Sequence, residues 1–229
     1  MRIIIIANGE PPAQADVDKW LRATDTLMCA DGGAKTALQF GLHPQHVIGD
    51  FDSLDTNELH QLEQLGAQLH RHPTAKDETD LELALAFAAQ LAPAANEIIV
   101  LGALGGRIDH ELANMMLLAM PILQGRRVVM AHGPDEIMLI DTRQSPSQLA
   151  LHGSQGDVVS LLPFGGDARG IRTEGLLYPL RDEPLLVGPA RGVSNVMLGT
   201  DASVHVRSGM VLCVHTSKPE SMPIPHSNS

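Results

Sequence analysis

The sequence predicts an α/β fold: an N-terminal parallel sheet with helices on both faces, followed by a smaller all-β sandwich domain. Three observations carry this expectation. Through the first two-thirds of the chain, short apolar runs alternate with stretches of helical periodicity. Those runs are continuous in hydrophobicity, as in strands covered on both faces, rather than alternating. After about Asp141 the helical period fades, Gly and Pro become frequent, and short β-like runs take over.

In chain order, Ile3–Ala7, Thr26–Ala30, Val47–Ile48, Gln68–His70, Ile98–Leu101 and Val128–Ala131 read as strands. Between them, Leu59, Leu62 and Leu65 recur at helical spacing within Thr56–Leu65, and Gly66 is placed to end that helix. Leu81, Leu85, Ala88 and Leu91 form one face of Thr79–Leu91, and Thr79 with Glu82 is a capping pattern that starts the helix near Asp80. Leu112, Met115, Met116 and Ala119 form the apolar side of Asp109–Met120, which Pro121 follows. Val17 and Trp20 share a helical stripe and read as packing. Beyond Asp141, the strands expected are Asp157–Leu162, Leu185–Val187, Val193–Met197, Ser203–Arg207 and Met210–Thr216. The domains expected are residues 1–141 and 146–217, with a Pro- and Ser-rich disordered tail over 218–229.

Composition narrows the function classes. The net charge is −11, and it is unevenly placed: residues 1–141 hold 20 acidic and 9 basic side chains, whereas 142–229 hold 7 of each. Such a surface is a poor match for nucleic acid or anionic lipid, but it admits a small polyanion bridged by a metal ion. Aromatic residues are only 3%, so the core is aliphatic. Cys29 and Cys213 lie in apolar runs without a CxxC pattern, which reads as buried thiols in a reducing, cytoplasmic setting. No apolar run approaches the length of a membrane span.

The informative feature is where the aspartates fall. Asp31-Gly32-Gly33 follows the second strand, Gly49-Asp50-Phe51-Asp52-Ser53 the third, Lys76-Asp77-Glu78-Thr79-Asp80 the fourth, and Gly105-Gly106-Arg107-Ile108-Asp109-His110 the fifth. In a parallel sheet these four places share the carboxyl edge, where open α/β sheets bind ligands. Asp50 and Asp52 project to one side if the chain is extended, and Asp77 and Asp80 share a face if the helix has begun. Carboxylates about 4 Å apart repel by about 4 kcal/mol per pair at an effective dielectric near 20, so the cluster needs a cation. Oxygen-only ligands suit Mg²⁺, which commonly links a few carboxylates to phosphates. Lys76 and Arg107 add positive charge, and Gly32-Gly33 and Gly105-Gly106 allow backbone amides close to phosphate oxygens. Singly, each motif is a turn or a helix cap; together they point to a phosphate-handling edge. His70 and His72 have metal-like spacing but no third ligand, and read as strand neighbours.

These motifs, taken in this order with Thr173-Glu174-Gly175-Leu176-Leu177-Tyr178 and Ser194-Asn195, resemble the thiamine pyrophosphokinase family over nearly the whole chain. The resemblance implies an α/β catalytic domain, a thiamine-binding β-sandwich, and a homodimer with active sites shared between chains. It implies transfer of a diphosphoryl group from ATP to the hydroxyl of thiamine. Asp50, Asp52 and Asp80 match the Mg²⁺ centre. With Arg107 they form the catalytic set. Asp31, Gly32, Lys76, Arg107 and Asp109 match the ATP and phosphate side. Thr79, Asp80, Tyr178, Ser194 and Asn195 match the thiamine side, Tyr178 standing where the family often has Trp. A carboxylate there either takes the hydroxyl proton or orients the hydroxyl. A Mg²⁺-dependent phosphohydrolase and a non-catalytic nucleotide-binding module are the competing classes.

Overall fold

The computed structural model describes residues 1–91, 97–145 and 147–218. The chain divides into two units, Met1–Gly133 and Pro134–Ser229. The expected tail lies outside the described residues from 219 onward.

In the first unit, strands β1 (Arg2–Ile6), β2 (Thr26–Ala30), β3 (His46–Gly49), β4 (Gln68–Arg71), β5 (Glu97–Leu101) and β6 (Arg127–His132) lie in the order β4-β3-β2-β1-β5-β6, every pairing parallel. Helices α1 (Gln14–Trp20), α2 (Gly33–Gln39), α3 (Thr56–Gln64), α4 (Asp80–Leu91) and α5 (Ile108–Leu117) alternate with the strands. Ile3, Ile4 and Ile5 are fully buried, as are Ile98 and Ile99, which fits a sheet covered on both faces. The order reverses at β1, whose neighbours β2 and β5 are entered from opposite directions. This is the switch point at which such sheets open a ligand crevice.

The expected helices form where the periodicity placed them. In α3, Asp55 accepts hydrogen bonds from the amides of Asn57 and Glu58, while Glu58 Oε2 accepts one from the Asp55 amide. Gly66, at φ +85°, follows its end. Thr79 Oγ1 accepts from the Glu82 amide at 3.2 Å and caps α4. The α2 start is close-packed: a Cβ on Gly33 would overlap the Ile6 carbonyl, so glycine here serves backbone approach rather than an unusual φ.

The second unit is all antiparallel: β7 (Asp135–Asp141), β8 (Ser147–His152), β9 (Val158–Glu174), β10 (Arg181–Leu185), β11 (Asn195–Val196), β12 (Asp201–Val206) and β13 (Ser208–Thr216). The long β9 belongs to two layers. Its first half pairs with β13 and β11, its second with β12 and β10. The left-handed backbone of Gly165 and Gly170, with a register shift against β13, lets it turn the corner of the sandwich.

Several boundaries differ from expectation. The division falls at Gly133, not at 141, because Asp135–Asp141 is a strand that pairs in full register with β13. The run Asp157–Leu162 is only the start of β9, Val193–Met197 contributes only Asn195–Val196, and residues 181–185 rather than 185–187 make β10.

Candidate active site

The carboxyl edge of the first sheet gathers the acidic motifs. The chain leaves β2 at Asp31, which is 3% exposed and has φ +42°. It leaves β3 through Asp50, turns at Phe51 with φ +66°, and presents Asp52. Carboxylate oxygens of Asp31, Asp50 and Asp52 lie within 4.8 Å of one another. Asp50 and Asp52 therefore converge through a turn, closed by the Asp52 amide donating to Asp50 Oδ1 at 3.2 Å, and not by strand alternation. A bulky residue with positive φ is strained, and here the ring is fixed: Phe51 is buried and the Arg71 guanidinium stacks 4.7 Å from its centroid. Arg71 also donates to the Asp50 carbonyl at 2.9 Å.

Asp80 stands at the first position of α4, and its Oδ1 accepts from Lys76 Nζ at 2.6 Å. Lys76 Nζ is also 3.9 Å from Asp50 Oδ2. The hydrogen bond from the Asp52 amide, aided by Lys76 and Thr74 and opposed by desolvation, holds the Asp50 carboxyl below its ordinary range. Burial works against charge on Lys76, but the hydrogen bond and field of Asp80, with the fields of Asp50 and Asp31, outweigh it and raise its pKa. Asp77 lies outside the helix and is exposed, so it does not share a face with Asp80.

A cleft of about 330 Å³ runs along this edge, bordered by Asn8, Asp50, Lys76, Thr79, Asp80 and Arg107. Arg107 forms an exposed ion pair with Asp109 at 2.6 Å at the start of α5. The Gly106 amide donates to Glu111 Oε1 at 2.7 Å, so it is already engaged. Gly32 sits against the Asn8 side chain, which donates to Asp31 Oδ2 at 3.3 Å and to Ser53 Oγ at 3.1 Å. Asn8, Arg71 and Thr74 escaped the sequence reading. Asn8 stands two residues beyond β1, and its place at the carboxyl edge was the available signal.

The donor set fits Mg²⁺. It is made of carboxylate oxygens, and Asp31 Oδ1 is buried without a hydrogen-bond partner among the described residues. Asp80, expected in the metal site, stands beside this group and is bonded to Lys76.

In the second unit, Tyr178 and Asn195 border a cleft of about 470 Å³. Tyr178 is 66% exposed, so it is not a core aromatic. Asn195 is buried and spends its amide on the Tyr178 backbone: Oδ1 accepts from the Tyr178 amide at 3.0 Å and Nδ2 donates to its carbonyl at 2.7 Å. Ser194 has φ +62°, and its amide donates to Ser160 Oγ. Arg191 and Glu183 pair on the same cleft. Of the residues expected on the thiamine side, Thr79 and Asp80 thus belong to the first unit, and Tyr178, Ser194 and Asn195 to the second. His70 faces His46 at 3.1 Å rather than joining His72 in a ligand pair.

Comparison with known proteins assigns each unit. Residues 17–130 match the family described as thiamin pyrophosphokinase, catalytic domain, and residues 140–211 its vitamin B1 binding domain. The chain is 26% identical over 216 residues to the thiamine pyrophosphokinase of Bacillus subtilis, covering 94% of this chain and 98% of that one. It is 27% identical over 213 residues to thiamine pyrophosphokinase 1 of Oryza sativa, covering 85% and 79%. The crystal structure of the Bacillus subtilis protein superposes with a TM-score of 0.82 at 24% identity, covering 96% of this chain and all of that one. A thiamin pyrophosphokinase family protein from Enterococcus faecalis gives 0.80 at 25%, with the same coverage. Both domains of one enzyme family are matched in order, each within its own structural unit, and this chain belongs to the thiamin pyrophosphokinase family.

Proposed function

We propose that the chain transfers a diphosphoryl group from ATP to the hydroxyl of thiamine, giving thiamine diphosphate and AMP. The observation that supports this reading is the convergence of Asp31, Asp50 and Asp52, with a buried Asp31 oxygen that has no partner among the described residues, beside a cleft bordered by Lys76 and Arg107. The hydroxyl oxygen of thiamine forms a bond to the β-phosphorus, and the bond from that phosphorus to the α–β bridging oxygen breaks, releasing AMP. Such a transfer asks the protein mainly for positioning and charge stabilisation. Asp31, Asp50 and Asp52 would hold Mg²⁺, which when bound offsets phosphate charge. In this reading Lys76 and Arg107 bind phosphate oxygens, and Thr79 and Asp80 orient the attacking hydroxyl, with Asp80 either taking its proton or only orienting it. Tyr178 offers its face to the flat aminopyrimidine ring. Two thiols without disulfides, and no helix among the described residues long and apolar enough to cross a membrane, support a cytoplasmic setting.

The decisive assay supplies ATP, Mg²⁺ and thiamine and separates the products. AMP with thiamine diphosphate is expected; free phosphate would indicate a phosphohydrolase, and unchanged ATP a binding module. The reading includes a homodimer with shared active sites. The exposed apolar side chains Ile108, Leu112 and Met116 on α5, and Leu186, Val187 and Val193 in the second unit, support it. Light scattering should give twice 24.5 kDa; a mass of 24.5 kDa at micromolar concentration would refute the dimer.

A further inference from the structure

Four carboxylates crowd one place in the first unit. Asp31, Asp50 and Asp52 form the cluster, and a Cβ built on Gly49 would lie 3.0 Å from Asp31 Cβ and 3.2 Å from Asp80 Oδ1, so Asp80 flanks the same glycine. Asp31 Oδ1 has no hydrogen-bond partner among the described residues, its side chain is almost wholly buried, and it belongs to this cluster. Like charges at such spacing repel one another, and a cation beside them relieves that repulsion. Nearby cations are engaged elsewhere: Arg71 on the Asp50 carbonyl and the Phe51 ring, Arg107 on Asp109, Lys35 on Glu58. Lys76 is different. Its side chain is only 10% exposed, and its ammonium reaches Asp80 at 2.6 Å and Asp50 at 3.9 Å.

We propose that Lys76 is the resident counter-cation of the acidic centre: it neutralises the carboxylates when no divalent ion is bound and competes with that ion for them. This rests on reading the centre as the Mg²⁺ and nucleotide site. Its consequence is a coupling. When a polyphosphate arrives, its oxygens offer the ammonium a second partner, Lys76 leaves Asp50 as well as Asp80, and the full acidity of the centre becomes available to the metal. Nucleotide and metal then favour each other, and by linkage the effect is equal in both directions. Without nucleotide, Lys76 keeps metal affinity low, so the centre does not fill with an idle cation.

The test is titration with MgCl₂ alone, without nucleotide or thiamine, followed by calorimetry and by the rise in Tm. Lys76→Met removes the competing charge and should tighten Mg²⁺ binding about tenfold. Lys76→Gln keeps a donor toward Asp80 without the charge and should do the same, which guards against poor folding of the Met variant. Lys76→Arg should bind as the wild type does. Without Mg²⁺ the two uncharged variants should melt lower than wild type, and Mg²⁺ should restore them. In an Asp31→Asn background the gain should vanish. Equal or weaker Mg²⁺ binding by Lys76→Met and Lys76→Gln overturns the proposal, as does a gain that survives Asp31→Asn. Absence of thiamine diphosphate formation by the wild type would strike the functional reading and leave this titration standing.

Discussion

Asp52 is the exposed member of the acidic trio, so its charge can be removed without opening the core. Asp52→Asn takes one oxygen charge from the site proposed for Mg²⁺ and relieves repulsion with Asp50. Diphosphoryl transfer should fall by about 100-fold or more while the melting temperature holds or rises slightly. Near-normal activity at low Mg²⁺ would remove Asp52 from the metal site. Tyr178 is the matching test in the other unit. Its ring is exposed, and Asn195 fixes its backbone from both sides, so truncation leaves no cavity and little strain. If the ring stacks on thiamine as proposed, the contact contributes about 0.5–1.5 kcal/mol beyond area burial, to ground-state binding. Tyr178→Ala should therefore raise KM for thiamine roughly 2- to 12-fold, lower kcat less, and leave KM for ATP nearly unchanged. Tyr178→Trp should retain or improve thiamine binding. A fall in Tm with unchanged KM would make the residue structural.

Local chemistry decides the elements, and it was readable to different depths. The helix α3 shows the readable kind: Asp55 and Glu58 exchange hydrogen bonds at its start. Asp55→Ala removes the cap, which is worth about 1 kcal/mol, and should lower Tm by about 2–4 °C with kcat unchanged. An unaltered Tm would show that the cap is redundant with packing by Leu62. The capping pattern at Thr79 and the period in α4 were legible for the same reason: each is a contact between residues three or four apart. By contrast, α2 buries Gly33, Ala34, Thr36 and Ala37, small side chains that carry no hydrophobic period, and it was missed. The strands β7 and β8 were also missed, since their partners β13 and β12 lie more than 45 residues away. Pro163, Gly165 and Gly166 read as the end of a strand, yet β9 continues because its partners change as the backbone turns. At the site, the parallel-sheet rule placed Asp31, Asp50, Asp52 and Asp80 on one edge. That Asp31, Asp50 and Asp52 converge depends on the Phe51 turn, which is a tertiary fact.

Stability of the whole molecule should depend on pH in two windows with different causes. In the first unit, His46 Nδ1 and His70 Nε2 are 3.1 Å apart, with the Phe87 ring packed against both. Burial lowers the pKa of each below the ordinary value of 6.5, and the pair's own field adds to the effect on His46 and that of His72 to the effect on His70. A histidine held neutral in the fold takes its proton more readily once unfolded, so the unfolded state binds more protons and stability rises with pH. The stability is complete above 6.5 and declines as pH falls through that value toward the folded pKa values. A second loss comes lower. Desolvation opposes the charge of Asp25 and of Asp157, but hydrogen bonds outweigh it, from Arg2 and the Arg22 amide for Asp25 and from the Lys218 and Ser154 amides and His215 for Asp157. Both are held below 3.8, so the stability they add is present above that value and is lost as pH falls through it and beyond. Urea unfolding of the wild type should accordingly show a lower midpoint at pH 5.5 than at pH 8. His70→Gln removes one titrating group while keeping a polar partner for His46, and its decline over that interval should be shallower. Parallel declines for wild type and His70→Gln would show that the histidine pair does not set the upper window, and that another group does.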